Sequence, residues 1–95
     1  MIIALDYDET YTADPELWYW FVKRAKDRGH KVYVVTMRFP DEVDEIKVCL
    51  GNVVDKIIPT SHRFKLNYLV GLGIIVDIWI DDCPSYITGF DPNEQ

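Results

Sequence analysis

Residues 2–10 read Ile-Ile-Ala-Leu-Asp-Tyr-Asp-Glu-Thr, an apolar run that ends in a turn with three carboxylates. A strand of a parallel sheet is covered on both faces, and it therefore reads as a continuous apolar run rather than an alternating one. The stretch predicts a buried first strand over residues 2–5, with Asp6 at its carboxyl end.

The pattern of apolar run, turn and amphipathic segment recurs along the chain. Asp14 and Pro15 are typical of a helix start and Gly29 of a helix end, so residues 15–28 are predicted to be a helix. The remaining predicted elements are strand 32–36, helix 40–51, strand 53–58, a helix from a cap at Thr60 or Ser61 to Gly71, strand 74–80 and a short strand at 86–88.

Strand-helix-strand connections are right-handed in nearly all proteins, so this order predicts a parallel sheet with helices on both faces. The expected fold class is α/β: a three-layer, Rossmann-like domain with about four to five strands. The 95 residues leave room for one hydrophobic core, so residues 1–95 are predicted to form a single domain.

Composition excludes several classes of function. With 48% hydrophobic residues the chain is too apolar for disorder, and its apolar runs are too short to span a membrane. Its net charge of −6 argues against broad binding to nucleic acid or anionic lipid. Cys49 and Cys83 form no CxxC pair and the first residues lack a secretory pattern, so a cytoplasmic location is expected.

Polar side chains cluster where the predicted strands end, which is where ligands of parallel sheets bind. These side chains are Asp6, Asp8 and Thr10 after the first strand, Thr36 and Arg38 after the second, Lys65 in the first turn of the third helix, and Asp81 and Asp82 after the fourth strand. Carboxylates brought together need a compensating cation, and oxygen ligands without His or Cys favour Mg²⁺. The set predicts a phosphoryl site with Mg²⁺.

Four motifs occur in order at these strand ends: Ile3-Ala4-Leu5-Asp6-Tyr7-Asp8-Glu9-Thr10, Val34-Val35-Thr36, Lys65, and Ile78-Trp79-Ile80-Asp81-Asp82. Over nearly the whole chain this arrangement resembles the haloacid dehalogenase superfamily. The loops are too short for the cap domain that many members carry. Glu9 departs from the pattern, because most phosphatases of the superfamily have Gly at that position.

The resemblance implies a role for each acidic residue. Asp6 would attack phosphorus and form an aspartyl-phosphate, and Asp8 would be the general acid and base, with its backbone carbonyl on the metal. Asp82 would bind Mg²⁺ directly and Asp81 through water or Lys65. The alternatives are a turn-capping role for the strand-end aspartates and a purely metal-binding role for Asp8.

The resemblance also implies roles for the other rim residues. Thr36 would donate its hydroxyl and backbone amide to the phosphoryl group, and Lys65 would bridge Asp6 and the phosphate. Thr10 would orient Asp8 or bind substrate. From its position just after Thr36, and not from the resemblance, Arg38 is expected either to contact the substrate or to be solvated.

The predicted function is a Mg²⁺-dependent phosphatase that hydrolyses a phosphomonoester through an aspartyl-phosphate. The alternatives are a phosphotransferase and a catalytically silent binding or signalling module. Without a cap the rim should be open. It would then be covered by a macromolecular phosphate or by a second copy of the chain, through Trp18, Tyr19 or Trp20 if one of them is exposed.

Overall fold

The computed structural model describes residues 1–90 and contains one sheet of four parallel strands. The strands are β1 (Ile2–Leu5), β2 (Lys31–Thr36), β3 (Lys56–Pro59) and β4 (Ile78–Ile80), in the order β3-β2-β1-β4. The predicted parallel α/β sheet is confirmed. The order reverses beside β1, because the chain moves outward through β2 and β3 and then returns to β4 on the opposite side of β1.

Among the described residues, four α-helices connect or follow the strands: α1 (Pro15–Asp27), α2 (Asp44–Leu50), α3 (Lys65–Gly71) and α4 (Ser85–Thr88). A short π-helical turn, Tyr7–Tyr11, follows β1. The start of α1 follows its sequence signals, since Pro15 is its first residue and Asp14 Oδ1 accepts a hydrogen bond from the Leu17 N–H at 3.2 Å. No helix among residues 1–90 is long and apolar enough to cross a membrane.

The helices lie on both faces of the sheet, and the alternation along β1 shows how. Ile3 and Leu5 belong to a core that includes Val22 of α1 and Ile46 of α2. Ala4 points to the other face, into a core that includes Leu69 of α3. Three layers result, as predicted, and β1 is buried from both sides.

Several predicted boundaries are wrong. Strand 53–58 begins only at Lys56, because the N–H groups of Val53 and Val54 still bond to the Leu50 carbonyl at the end of α2. Strand 74–80 begins at Ile78, because the Ile74 N–H bonds back to the Leu69 carbonyl of α3.

One capping prediction, one helix prediction and one strand prediction also fail. The third helix begins at Lys65, and the Thr60 hydroxyl bonds to the Arg63 carbonyl instead of capping it. Helix 40–51 divides into a 3₁₀ turn at Pro40–Glu42 and α2. Residues 86–88 lie in the single helical turn α4, which ends at Gly89 with φ 84°, rather than in a strand.

Candidate active site

A buried ion-pair cluster lies at the carboxyl ends of β1 and β4. The Lys65 side chain is 1% exposed, and its Nζ donates to Asp6 Oδ1 at 2.8 Å and to Asp81 Oδ2 at 2.6 Å. Lys65 is the first residue of α3 and therefore starts at the same rim as Asp6 and Asp81. A buried ammonium is tolerated only when it is paired, so this lysine joins the two strand ends.

The Thr10 hydroxyl connects two of the rim carboxylates. Its Oγ1 lies 2.9 Å from Asp6 Oδ2 and 3.0 Å from Asp82 Oδ1, and it accepts the Asp82 N–H at 3.1 Å. A hydroxyl has one proton and can donate to only one of these oxygens at a time. Thr10 therefore positions Asp6 and Asp82, whereas the sequence led us to expect that it would orient Asp8.

Burial changes the acidity of Asp6. Desolvation raises the pKa of its carboxyl to about 6, and this outweighs the hydrogen bond and charge of Lys65, which lower it. The nearby Asp81 carboxylate raises it further. At neutral pH Asp6 is still mostly ionised and can serve as a nucleophile.

Three carboxylates approach closely enough to share a cation. One oxygen of each of Asp6, Asp81 and Asp82 lies within 4.8 Å of the others. Both Asp81 oxygens already accept protein hydrogen bonds, from Lys65 and from the Cys83 N–H, and its side chain is 1% exposed. Asp82 is exposed, and the Thr10 hydroxyl is the one hydrogen-bond partner of its carboxylate among the described residues. The carboxylate therefore keeps free lone pairs on the solvent side.

A cavity of about 420 Å³ opens above this cluster. Its lining residues are Asp6, Asp8, Glu9, Thr36, Met37, Arg38, Glu42, His62, Lys65, Asp82, Cys83 and Tyr86. Thr36 is buried, and its Oγ1 accepts the Arg38 N–H at 3.2 Å, so the hydroxyl proton is free to be donated into the cavity. Thr10 and Asp81 line a smaller hollow on the other side of the cluster instead.

Asp8 lies at the mouth of the cavity, outside the buried cluster. Both of its oxygens accept hydrogen bonds from Arg38, from Nε at 2.9 Å and from Nη2 at 2.7 Å. The hydrogen bonds from Arg38 to Asp8 and Glu45 raise the pKa of the guanidinium above its ordinary value, so Arg38 is charged. Arg38 is therefore held at the cavity by Asp8 and by the segment that contains Glu42 and Glu45, with its side chain 23% exposed.

Sequence reasoning missed the residues that hold Arg38. Glu45 Oε1 and the Glu42 carbonyl accept hydrogen bonds from Nη1 at 2.6 and 2.8 Å. The helical break at Val43 separates Arg38 from Glu45, so no regular spacing indicated the pair. His62, to which the sequence assigned no role, packs against Phe39 with ring centroids 4.8 Å apart and lines the cavity.

Most of the predicted rim residues lie around one cavity. Asp6, Asp8, Thr36, Arg38, Lys65 and Asp82 line one cavity, while Asp81 and Thr10 support it from beneath. Of the three aromatic residues expected near an interface, Trp20 is 60% exposed, and Trp18 and Tyr19 are partly buried.

Comparison with known proteins gives no relative: no model of a known protein family matches the chain, no curated protein matches it, and no solved structure matches it.

Proposed function

We propose that the protein is a Mg²⁺-dependent phosphatase that hydrolyses phosphomonoesters through an aspartyl-phosphate on Asp6. The observation that carries this proposal is the placement of Asp6. It is a buried carboxylate held between the Lys65 ammonium and the Thr10 hydroxyl, at the floor of a cavity open to solvent. A carboxylate attacks a phosphate dianion only where positive charge and donors offset the repulsion, and Lys65 supplies both.

The reaction would proceed in two displacements. In the first, an Asp6 oxygen forms a bond to phosphorus while the bond to the leaving oxygen breaks, and a protonated Asp8 gives its proton to that oxygen. In the second, water attacks phosphorus, Asp8 takes the water proton, and Asp6 leaves as a carboxylate. The Thr36 hydroxyl and the third Lys65 N–H would bind the phosphoryl oxygens.

The donor set at the rim fits Mg²⁺. The oxygens of Asp6 and Asp82 would hold the ion together with the Asp8 backbone carbonyl, and the set contains no His or Cys that would favour a softer metal. Asp81 is already occupied by Lys65 and the Cys83 N–H, which supports Asp82 as the direct ligand. A bound Mg²⁺ would neutralise charge on the phosphoryl group.

The motifs that resemble the haloacid dehalogenase superfamily support the same proposal, because their residues meet at one rim although they are far apart in sequence. A phosphotransferase would use the same first step with an acceptor other than water. Added alcohols would then raise the rate of leaving-group release, so they distinguish the two reactions.

Turnover of an aryl phosphate tests the proposal. Asp6→Asn should abolish Mg²⁺-dependent phosphate release, because an amide cannot act as the nucleophile, while the fold is retained. Asp27→Asn is the matched control, since Asp27 is exposed at the end of α1 away from the rim. Wild-type turnover by Asp6→Asn, or no turnover by the wild-type chain on any phosphomonoester, contradicts the proposal.

The open rim bears on substrate size. Asp8 and Glu9 at the cavity mouth are exposed, and no element among residues 1–90 closes over them. We therefore expect either better turnover on a macromolecular phosphate or coverage of the rim in a homo-oligomer. Two results together would contradict this expectation: sedimentation as a monomer, and sharp discrimination in turnover between closely similar small phosphate esters.

A further inference from the structure

Arg38 makes two well-formed hydrogen bonds to Asp8. Its Nε donates to one carboxylate oxygen at 2.9 Å and its Nη2 to the other at 2.7 Å. Such a paired arrangement fixes the direction of the carboxylate as well as its place, because both planar groups must be aligned. The partners come from different parts of the fold, with Asp8 in the turn after β1 and Arg38 after β2.

The guanidinium is itself held from its other sides. Nη1 donates to Glu45 Oε1 and to the Glu42 carbonyl, at 2.6 and 2.8 Å. The group also lies over the ring of the buried Tyr7, 5.3 Å from its centroid. With these contacts, four of the five N–H donors of Arg38 have protein partners, so Arg38 is a fixed support rather than a free anion-binding group.

We propose that Arg38 is the positioning residue for Asp8 and that it acts on the second displacement, the hydrolysis of the aspartyl-phosphate. This inference rests on the proposed function. An arginine has only donors, so the Asp8 oxygens that face it are acceptors. In the paired geometry both Asp8 oxygens therefore act as acceptors, as a general base must, and each keeps one lone pair for a water molecule.

The supported step balances as follows. The oxygen of a water molecule forms a bond to phosphorus, and the bond between phosphorus and the Asp6 oxygen breaks with its electron pair moving to Asp6. The water proton passes to an Asp8 oxygen. The products are the Asp6 carboxylate, inorganic phosphate and a protonated Asp8. In the first displacement, by contrast, Asp8 must turn an oxygen away from Arg38 to donate a proton, so that step gains nothing from the pair.

Pre-steady-state kinetics with an aryl phosphate separate the two displacements. For Arg38→Met we expect a burst of phenol equal to the protein concentration, followed by a steady state about 10- to 100-fold slower than that of the wild type. The value of kcat/KM, which reports steps up to the first displacement, should be retained while kcat falls. Arg38→Lys keeps the charge without the paired geometry, so its kcat should lie between that of the wild type and that of Arg38→Met.

Two further variants provide a second test and a control. Glu45→Gln loosens Arg38 from outside the cavity and should cause a smaller fall in kcat, again with kcat/KM retained. Arg63→Met removes another arginine that lies over a tyrosine ring, 5.8 Å from the centroid of Tyr68, and should change neither parameter. If Arg38→Met does not fold, the Glu45→Gln result alone decides the question.

The outcomes are distinguishable. A parallel fall in kcat and kcat/KM without a burst would mean that Arg38 binds substrate or serves the first displacement, and it would overturn this inference while leaving the proposed function intact. A wild-type chain that hydrolyses no phosphomonoester overturns both.

Discussion

The two aspartates of the turn after β1 are two residues apart, yet their surroundings differ. Asp6 is buried and accepts a hydrogen bond from a lysine that is 1% exposed, whereas the Asp8 side chain is 49% exposed and pairs with an arginine that is 23% exposed. The buried pair must be satisfied for the protein to fold, while the exposed pair can break at little cost. The rim therefore combines a buried, tightly paired carboxylate at Asp6 with an exposed carboxylate at Asp8, whose pair with Arg38 should contribute little to stability.

The largest effect should follow removal of the buried cation. Lys65→Met would leave Asp6 and Asp81 facing each other without a positive charge, and it should lower the free energy of unfolding by about 3 to 5 kcal/mol at neutral pH. Chemical denaturation measures this loss. Lys56→Met is the matched control, because Lys56 is an exposed lysine of β3 beside a tyrosine ring. Equal stability of the two variants would contradict the structural role given to Lys65.

The pH dependence of stability tests the burial of Asp6. Its folded-state pKa of about 6 lies above the ordinary 3.8, so the folded protein binds this proton more tightly than the unfolded chain. The resulting stabilisation is complete below pH 4 and is lost as the pH rises through about 6, and it amounts to up to about 3 kcal/mol. Asp6→Asn should remove this part of the slope when unfolding is measured with a metal chelator present. An unchanged slope would mean that another group titrates.

The exposed pair should contribute much less to stability. A double-mutant cycle of Asp8→Asn and Arg38→Met should give a coupling free energy of at most about 1 kcal/mol, and added salt should reduce it. The measurement is thermal or chemical unfolding of the four proteins. A coupling as large as the Lys65→Met effect would show that the two ion pairs contribute equally to stability, and it would remove the contrast between them.

The smallest effect concerns Glu9, which has a φ of 66°. A residue other than glycine is strained in this left-handed region, so Glu9→Gly should raise the free energy of unfolding by up to about 1 kcal/mol. Glu9→Ala removes the same charge but keeps the strain, and it separates the two causes. If Ala stabilises as much as Gly, charge repulsion at the rim rather than backbone strain is responsible.

The layers and the rim could be predicted because they depend on strong local signals. The apolar run before Asp6 and the Asp14-Pro15 start of α1 each determine their own element, and parallel strands bring their carboxyl ends to one edge. The position of Lys65 was predictable for the same reason, since it falls in the first turn of α3.

Other features depend on contacts that no local pattern encodes. Asp77 interrupts the apolar run that was predicted to be one strand, and β4 begins at the next residue; the Asp77 carboxylate accepts the Ile2 N–H at 2.8 Å. Whether Thr10 reaches Asp6 or Asp8 depends on the tight turn at Glu9, where a glutamate gives no sequence signal for a positive φ. The hydrogen bond from Arg38 to Glu45 depends on where α2 begins, and helix ends are the least certain part of a sequence-based assignment.

Direct detection of the covalent intermediate tests the central claim. The protein would be quenched in acid during turnover of an aryl phosphate with Mg²⁺, digested, and mapped by tandem mass spectrometry, with Asp6→Asn treated in parallel. We predict a phosphoryl group on Asp6 of the wild type that is absent from the variant and that accumulates further in Arg38→Met. A phosphoryl group on Asp8 or on another residue would contradict the account. So would turnover during which Asp6 stays unmodified both in the wild type and in Arg38→Met.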